Sequence, residues 1–143
     1  MSDNLNARPA SKTSCLVLRV PLGLVFLYSA AVKLWQWPRF AQHVGEFGIV
    51  LDSVVKPTAA VVCFLELVIG VGILFHAKWA LPATIALLIA FIAVLSYGIV
   101  IGLDIECGCF GTGHSFSLNN QLLIDVVIVV WTFCAIRNCS HAE

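Results

Sequence analysis

Four stretches of this chain are almost wholly apolar, and its polar residues gather between them. The first covers about residues 14–35 and is interrupted only by Arg19 and Lys33. The second, 57–75, holds one charge, Glu66; the third, 79–103, holds none; the fourth, about 118–136, holds Asp125 alone. The hydrocarbon core of a bilayer is crossed by about 20 mostly apolar residues in a helix, and each stretch is that long. Pro57 would open its helix, where a missing N–H costs nothing, and Pro21 and Pro82 lie in the first turns of theirs. Between the first two stretches, Trp37, Phe40, Val44, Phe47, Leu51 and Val54 recur at spacings of three and four. That spacing predicts an amphipathic segment in one or two short helical pieces, lying over the bundle end with Arg39, Gln42, His43, Glu46 and Asp52 on its wetter side. An ordinary connecting loop is the alternative.

The pattern predicts an all-α membrane protein: a four-transmembrane-helix bundle with a short interfacial segment between helices 1 and 2. Its domains read as a polar tail over 1–13, the bundle over 14–137 and a short tail over 138–143. Arg8 and Lys12 ahead of an apolar run that ends near Ser29-Ala30-Ala31 also outline a cleavable signal peptide. The length of that run, with Tyr28, Lys33, Trp35 and Trp37 at its far end, favours a retained span.

Composition agrees. Of 143 residues, 60% are hydrophobic and 11% charged, and eight Lys and Arg balance eight Asp and Glu. Soluble domains carry about 25% charged residues. So few charges exclude a soluble enzyme, a disordered tail and a basic nucleic-acid binder. The placement of the basic residues sets an orientation. With both termini on one side, that side holds Arg8, Lys12, Arg19, Lys78 and Arg137, and the other holds Lys33, Arg39 and Lys56. The excess favours cytoplasmic termini, with the 1–2 and 3–4 connections facing outward. Arg19 then reads as a helix-end anchor near the inner face.

The 3–4 connection carries the most pointed chemistry. Cys107 and Cys109 flank Gly108 in a short Gly-rich segment with Asp104, Glu106 and His114. Thiols at i and i+2 stay close, and Gly108 permits the tight bend that joins them. A staple over so small a loop adds little stability, which favours exchange chemistry over a structural bridge. His114 would lower the attacking thiol's pKa, and Asp104 and Glu106 would raise it. Cys107, Cys109 and His114 as metal ligands, or inert thiols, are the alternatives. Cys63 and Cys134 read as small hydrophobes inside spans, and Cys15 and Cys139 as reduced thiols at the inner face.

Glu66 and Asp125 lie at similar depths, roughly 10–14 Å below the outer boundary at about 1.5 Å per residue. An intramembrane carboxyl group is costly, and by default it marks a functional site. Lys33, at the end of the first span, can snorkel outward or reach inward to one of them. Together they read as a proton-handling group beneath the thiol loop. The alternative is a pair of neutral carboxyls that make helix–helix hydrogen bonds.

Three stretches resemble the MauE branch of the MauE/DoxX family of redox-associated four-helix membrane proteins. They are residues 19–34, with Arg19, Gly23, Phe26, Ser29, Lys33 and Leu34; residues 66–72, with Glu66, Gly70 and Gly72; and the Cys107-Gly108-Cys109-Phe110-Gly111 signature. The cysteine signature is the specific part, and the likeness covers about residues 16–136. The chain departs from the branch in having no Arg between Arg39 and Arg137 to open its last helix, where Asn119, Asn120 and Asp125 stand instead. The resemblance implies a bacterial inner-membrane protein. It handles thiols or disulfides at the outer loop, with Cys107 and Cys109 exchanging and Glu66, Asp125 and Lys33 beside them. It further implies a quinone as electron acceptor and an exported redox protein as partner, since relatives are linked to maturation of a disulfide-rich methylamine dehydrogenase subunit and to quinone-coupled thiosulfate oxidation. The layout is also similar to that of the vitamin K epoxide reductase group. Two other readings stay open. One is a non-enzymatic accessory or maturation subunit that docks through Trp37, Phe40, Val44 and Phe47; the other is a small metal or solute carrier.

Overall fold

The computed structural model describes the backbone of residues 12–103 and 118–140, and the side chains of 15–103 and 119–139. These residues form five helices and no strand: α1 (Lys12–Trp35), α2 (Trp37–Glu46), α3 (Asp52–Leu74), α4 (Ala80–Val100) and α5 (Leu118–Ser140). Four of them, all but α2, are long and apolar enough to cross a membrane. In lipid a helix satisfies its own backbone, which is why these apolar stretches fold this way. Helix α1 packs most extensively on α3 and α4 on α5, while α1–α5 and α3–α4 contacts close the ring. Leu22, Phe26, Ile69, Ile73, Leu81, Leu88 and Ala135 fill the centre. Large apolar side chains such as Val17, Phe64, Val100 and Val130 point outward, as the bilayer requires.

The helix ends refine the expected boundaries. Helix α3 begins at Asp52, so Pro57 lies inside it instead of opening it. Only the bond from residue 57 to the carbonyl of residue 53 is lost, and Asp52 complements the positive end of the helix. Both α3 and α4 end in the same hydrogen-bonded motif. Ala77 N–H donates to Gly72 O and His76 N–H to Ile73 O after α3; Leu103 N–H donates to Gly98 O and Gly102 N–H to Ile99 O after α4. The residue in the left-handed conformation is Gly102 (φ 71°) in one case and His76 (φ 59°) in the other.

Helix α2 carries part of the predicted amphipathic face. Trp37, Phe40 and Val44 are half-buried on it, as is Phe47 just past its end, while Arg39, Gln42 and Glu46 are exposed. Leu51 and Val54 leave that face and are exposed. Gly48, at φ 62°, turns the chain and ends the periodicity before they are reached.

One expectation is overturned. Cys15 and Cys139 are joined in a disulfide, with Cα atoms 5.2 Å apart. Helix α5 runs on to Ser140, past the expected end at 136, and brings Cys139 beside the start of α1. Reading the two cysteines separately, each by its compartment, misses a pairing that only the antiparallel α1–α5 contact creates. Cys63 is buried and Cys134 exposed, both as free thiols. Arg19, expected at a helix end, is buried at 9% exposure.

Two glycines set the α1–α3 distance. A Cβ on Gly23 would lie 2.9 Å from Leu74, and one on Gly70 3.0 Å from Leu27 and 3.2 Å from its backbone nitrogen. Small residues let membrane helices approach in this way. We expect Gly70→Leu to force α1 and α3 apart and to lower the thermal midpoint in detergent by several degrees, with Ala at the same site milder. Opening the Cys15–Cys139 tie is expected to lower the same midpoint, since a disulfide closing so long a loop is typically worth about 2–4 kcal/mol. Thermal unfolding of Cys15→Ser with and without reductant checks this; the drop that reductant causes in the wild-type chain should be largely absent from the variant.

Candidate functional site

The end of α1 carries Ser29 and Lys33 one turn apart, on the face turned to α3. Lys33 is 3% exposed and Glu66 on α3 is 1% exposed. The Lys33 ammonium donates to both carboxylate oxygens of Glu66, at 2.6 Å and 2.8 Å, and to Ser29 Oγ at 2.6 Å. Ser29 Oγ donates to Glu66 Oε2 at 3.3 Å. Of the two courses open to Lys33, the structure takes the inward one. The ammonium also lies 5.7 Å from the centre of the Phe40 ring and 5.6 Å from that of Phe91. Rings at that range attract a desolvated cation.

This cluster sits on the wall of a cavity of about 210 Å³ that all five helices line. Val25 and Phe26 come from α1, Phe40 and Val44 from α2, Val62 from α3, Leu88 and Leu95 from α4 and Ile128 from α5. Its polar features include Ser29, Lys33, Glu66, Gln121 and Asp125. Asp125, 4% exposed, accepts a hydrogen bond from Gln121 Nε2 at 3.2 Å, one helical turn away on α5. It lies within electrostatic reach of both Lys33 and Glu66. Among the described residues, Asp125 Oδ2 and Gln121 Oε1 are buried without a hydrogen-bond partner.

Three of the residues singled out by sequence, Lys33, Glu66 and Asp125, therefore share one cavity. Its position is defined by the chain: Lys33 ends α1, and α4 and α5 meet the 104–117 connection at that same end of the bundle. Cys107, Cys109 and His114 lie in that connection, outside the described residues. Among the described residues no group of three His, Cys, Asp or Glu side chains is placed to hold a metal ion. Of the four residues read as a docking face, Phe40, Val44 and Phe47 line the cavity, and all four, with Trp37, are half-buried. His43, placed on the wet side of the segment, also lines it and meets Glu46 Oε2 through Nδ1 at 3.0 Å.

Sequence reasoning left Gln121, Phe91 and the bridging role of Ser29 unassigned. Two of these had a signal. Ser29 precedes Lys33, and Gln121 precedes Asp125, by four residues, which puts each on the face of a charge that has to be satisfied in lipid. Phe91 had none, because nothing in its uncharged span marks one face from another.

Comparison with known proteins agrees with this architecture. The family model described as methylamine utilisation protein MauE matches residues 11–137. The chain is 33% identical over 100 residues to the methylamine utilization protein MauE of Paracoccus denitrificans, an overlap of 67% of this chain and 53% of that protein. The chain thus spans about half the length of that curated relative. No solved structure matches it. The family match over residues 11–137, which takes in the four spans, shows that the chain belongs to the MauE family.

Proposed function

We propose that this chain is a membrane redox protein that exchanges thiols and disulfides at Cys107 and Cys109. Glu66, Asp125 and Lys33 would handle the accompanying protons. The observation that carries this reading is the gathering of those three ionisable groups around one cavity, at the bundle end from which the cysteine segment extends. Exchange runs through a mixed disulfide. A partner thiolate attacks one sulfur of the Cys107–Cys109 disulfide and releases the other as a thiolate. A second partner thiolate then resolves the mixed bond, so the partner leaves oxidised and the pair is left as a dithiol. A quinone restores the disulfide by taking two electrons and two protons to become a hydroquinone. Thiol oxidation releases protons and quinone reduction takes them up, and a buried carboxyl group can accept and return one.

The partner in this reading is an exported redox protein of methylamine utilisation, the process named in the family's description. The cysteine segment faces the outer compartment and the termini the cytoplasm of a bacterial inner membrane, on the strength of the Lys and Arg excess at the terminal end. The Cys15–Cys139 disulfide weighs against that orientation, because stable disulfides are rare in reducing compartments.

In membranes quenched with acid and alkylated, Cys107 and Cys109 are expected to shift between reduced and oxidised as a quinone is withheld or supplied. Replacing either by Ser should abolish turnover, and full activity in both variants would sink the proposal. A membrane-impermeant maleimide should label the reduced pair in intact cells; labelling only after permeabilisation reverses the orientation.

The ion pair yields a separate expectation. Lys33→Met leaves the Glu66 carboxylate buried and unpaired, and breaking such a pair costs about 3–5 kcal/mol. Adding Glu66→Met should recover part of that loss, as equilibrium unfolding in bicelles can measure. Glu66→Gln retains the shape of the site, yet should slow turnover at least tenfold if the carboxyl relays a proton, since general acid–base groups contribute roughly 10²–10⁴-fold.

A further inference from the structure

We propose that the cavity binds a single hydroxylated aromatic ring, which donates its O–H to one of two unfilled oxygens, Oδ2 of Asp125, the other being Oε1 of Gln121. Those oxygens are the strongest reason. Asp125 and Gln121 are 4% and 5% exposed, and Asp125 Oδ2 and Gln121 Oε1 have no partner among the described residues. A buried acceptor left unmet is unfavourable, so each calls for a donor. Among the described residues, two donors on the cavity wall, Gln121 and Lys33, are engaged elsewhere. Gln121 spends an amide hydrogen on Asp125 Oδ1, which fixes its Oε1 as the remaining acceptor. The three hydrogens of the Lys33 ammonium meet Ser29 Oγ and the two oxygens of Glu66.

Size and lining decide what carries the donor. An apolar cavity of about 150 Å³ takes up benzene. This one, at about 210 Å³, has room for one substituted ring, and Phe26, Phe40, Phe47 and Phe91 are among its walls. Lys33 already sits 5.6–5.7 Å from the Phe40 and Phe91 ring centres, so a cation is already placed against those two rings. A neutral O–H enters an otherwise apolar, aromatic-walled cavity at a lower desolvation cost than a second ammonium. Ring contact gives the affinity, and the pair of acceptors selects hydroxyl over ether or carbonyl. Identifying this ring with the reduced, dihydroxy form of the electron acceptor rests on the proposed function; occupation of the cavity does not.

The test uses the full chain in nanodiscs with two probes of nearly equal shape, 4-ethylphenol and 4-ethylanisole. In the second, a methyl ether replaces the hydroxyl donor. Binding is read by thermal shift and by equilibrium titration against lipid-only nanodiscs, which correct for partitioning. The phenol should bind at least tenfold tighter than the anisole. Gln121→Met and Asp125→Asn should each reduce that ratio several-fold, with anisole affinity little changed. Both substitutions approximate the native shape, so loss of folding in one leaves the other to decide. Equal affinity for the two probes, or a preference that survives both substitutions, overturns the inference and assigns the acceptors to water. Cys107→Ser should leave the phenol preference intact while ending thiol turnover. A lost preference with intact thiol cycling refutes this inference alone, and lost cycling with an intact preference refutes the proposed function alone.

Discussion

An ammonium and a carboxylate meet inside what is otherwise hydrocarbon, and the site depends on their staying together. Either charge alone at that depth would be costly, whereas a pair with a third hydrogen-bonding partner is tolerated. Lys33 and Glu66 supply the charges and Ser29 the third partner, so the pair leaves no ammonium hydrogen unmet. The geometry needs α1 and α3 to be close. Gly70 lies one turn beyond Glu66 on α3, and both it and Gly23 are sites where even a methyl group would meet the opposite helix. The close approach and the ion pair therefore support each other: small residues bring the helices together, and the pair penalises their separation. The cavity follows from this arrangement. Apart from a few polar side chains, its wall is apolar.

What the sequence discloses divides along a physical line. The four spans are legible because lipid imposes length and hydropathy on every residue that crosses it, and Glu66, Asp125 and Lys33 stand out as exceptions to that rule. Ends are less legible. Pro57 looks like a start because it breaks the apolar run, yet a proline near the beginning of a helix costs only one bond, and α3 takes in the polar residues ahead of it. Leu51 and Val54 continue the periodicity of α2 on paper, but a single left-handed residue at Gly48 resets the chain direction. The Cys15–Cys139 bond is the least legible feature. It joins positions 124 residues apart, and no local pattern encodes the α1–α5 contact that makes it. Gln121 and Ser29 lie between these extremes: the four-residue step to a buried charge is readable once that charge is known to be buried.

The two ends of the bundle are held by different kinds of interaction, and the difference bears on where chemistry can happen. At the terminal end a covalent bond ties α1 to α5. Deeper in, a cluster of apolar side chains from all four spans fills the space between them. At the other end α1, α3 and α5 are joined to the cavity by charges and hydrogen bonds, and α2 covers it through half-buried aromatic and aliphatic side chains. Packed cores resist deformation, whereas polar contacts can be exchanged for others of similar strength. A ligand that offers a donor to Asp125 would gain a bond there while resting on Phe26 and Leu88, the edge of the apolar cluster. A proton that arrives at Glu66 weakens its pairing with Lys33 while the disulfide and the apolar cluster still hold the helices. The separation of the two ends is partial, because Phe26 and Leu88 belong to the apolar cluster and to the cavity wall alike, so site and core share a boundary while the disulfide holds the far end.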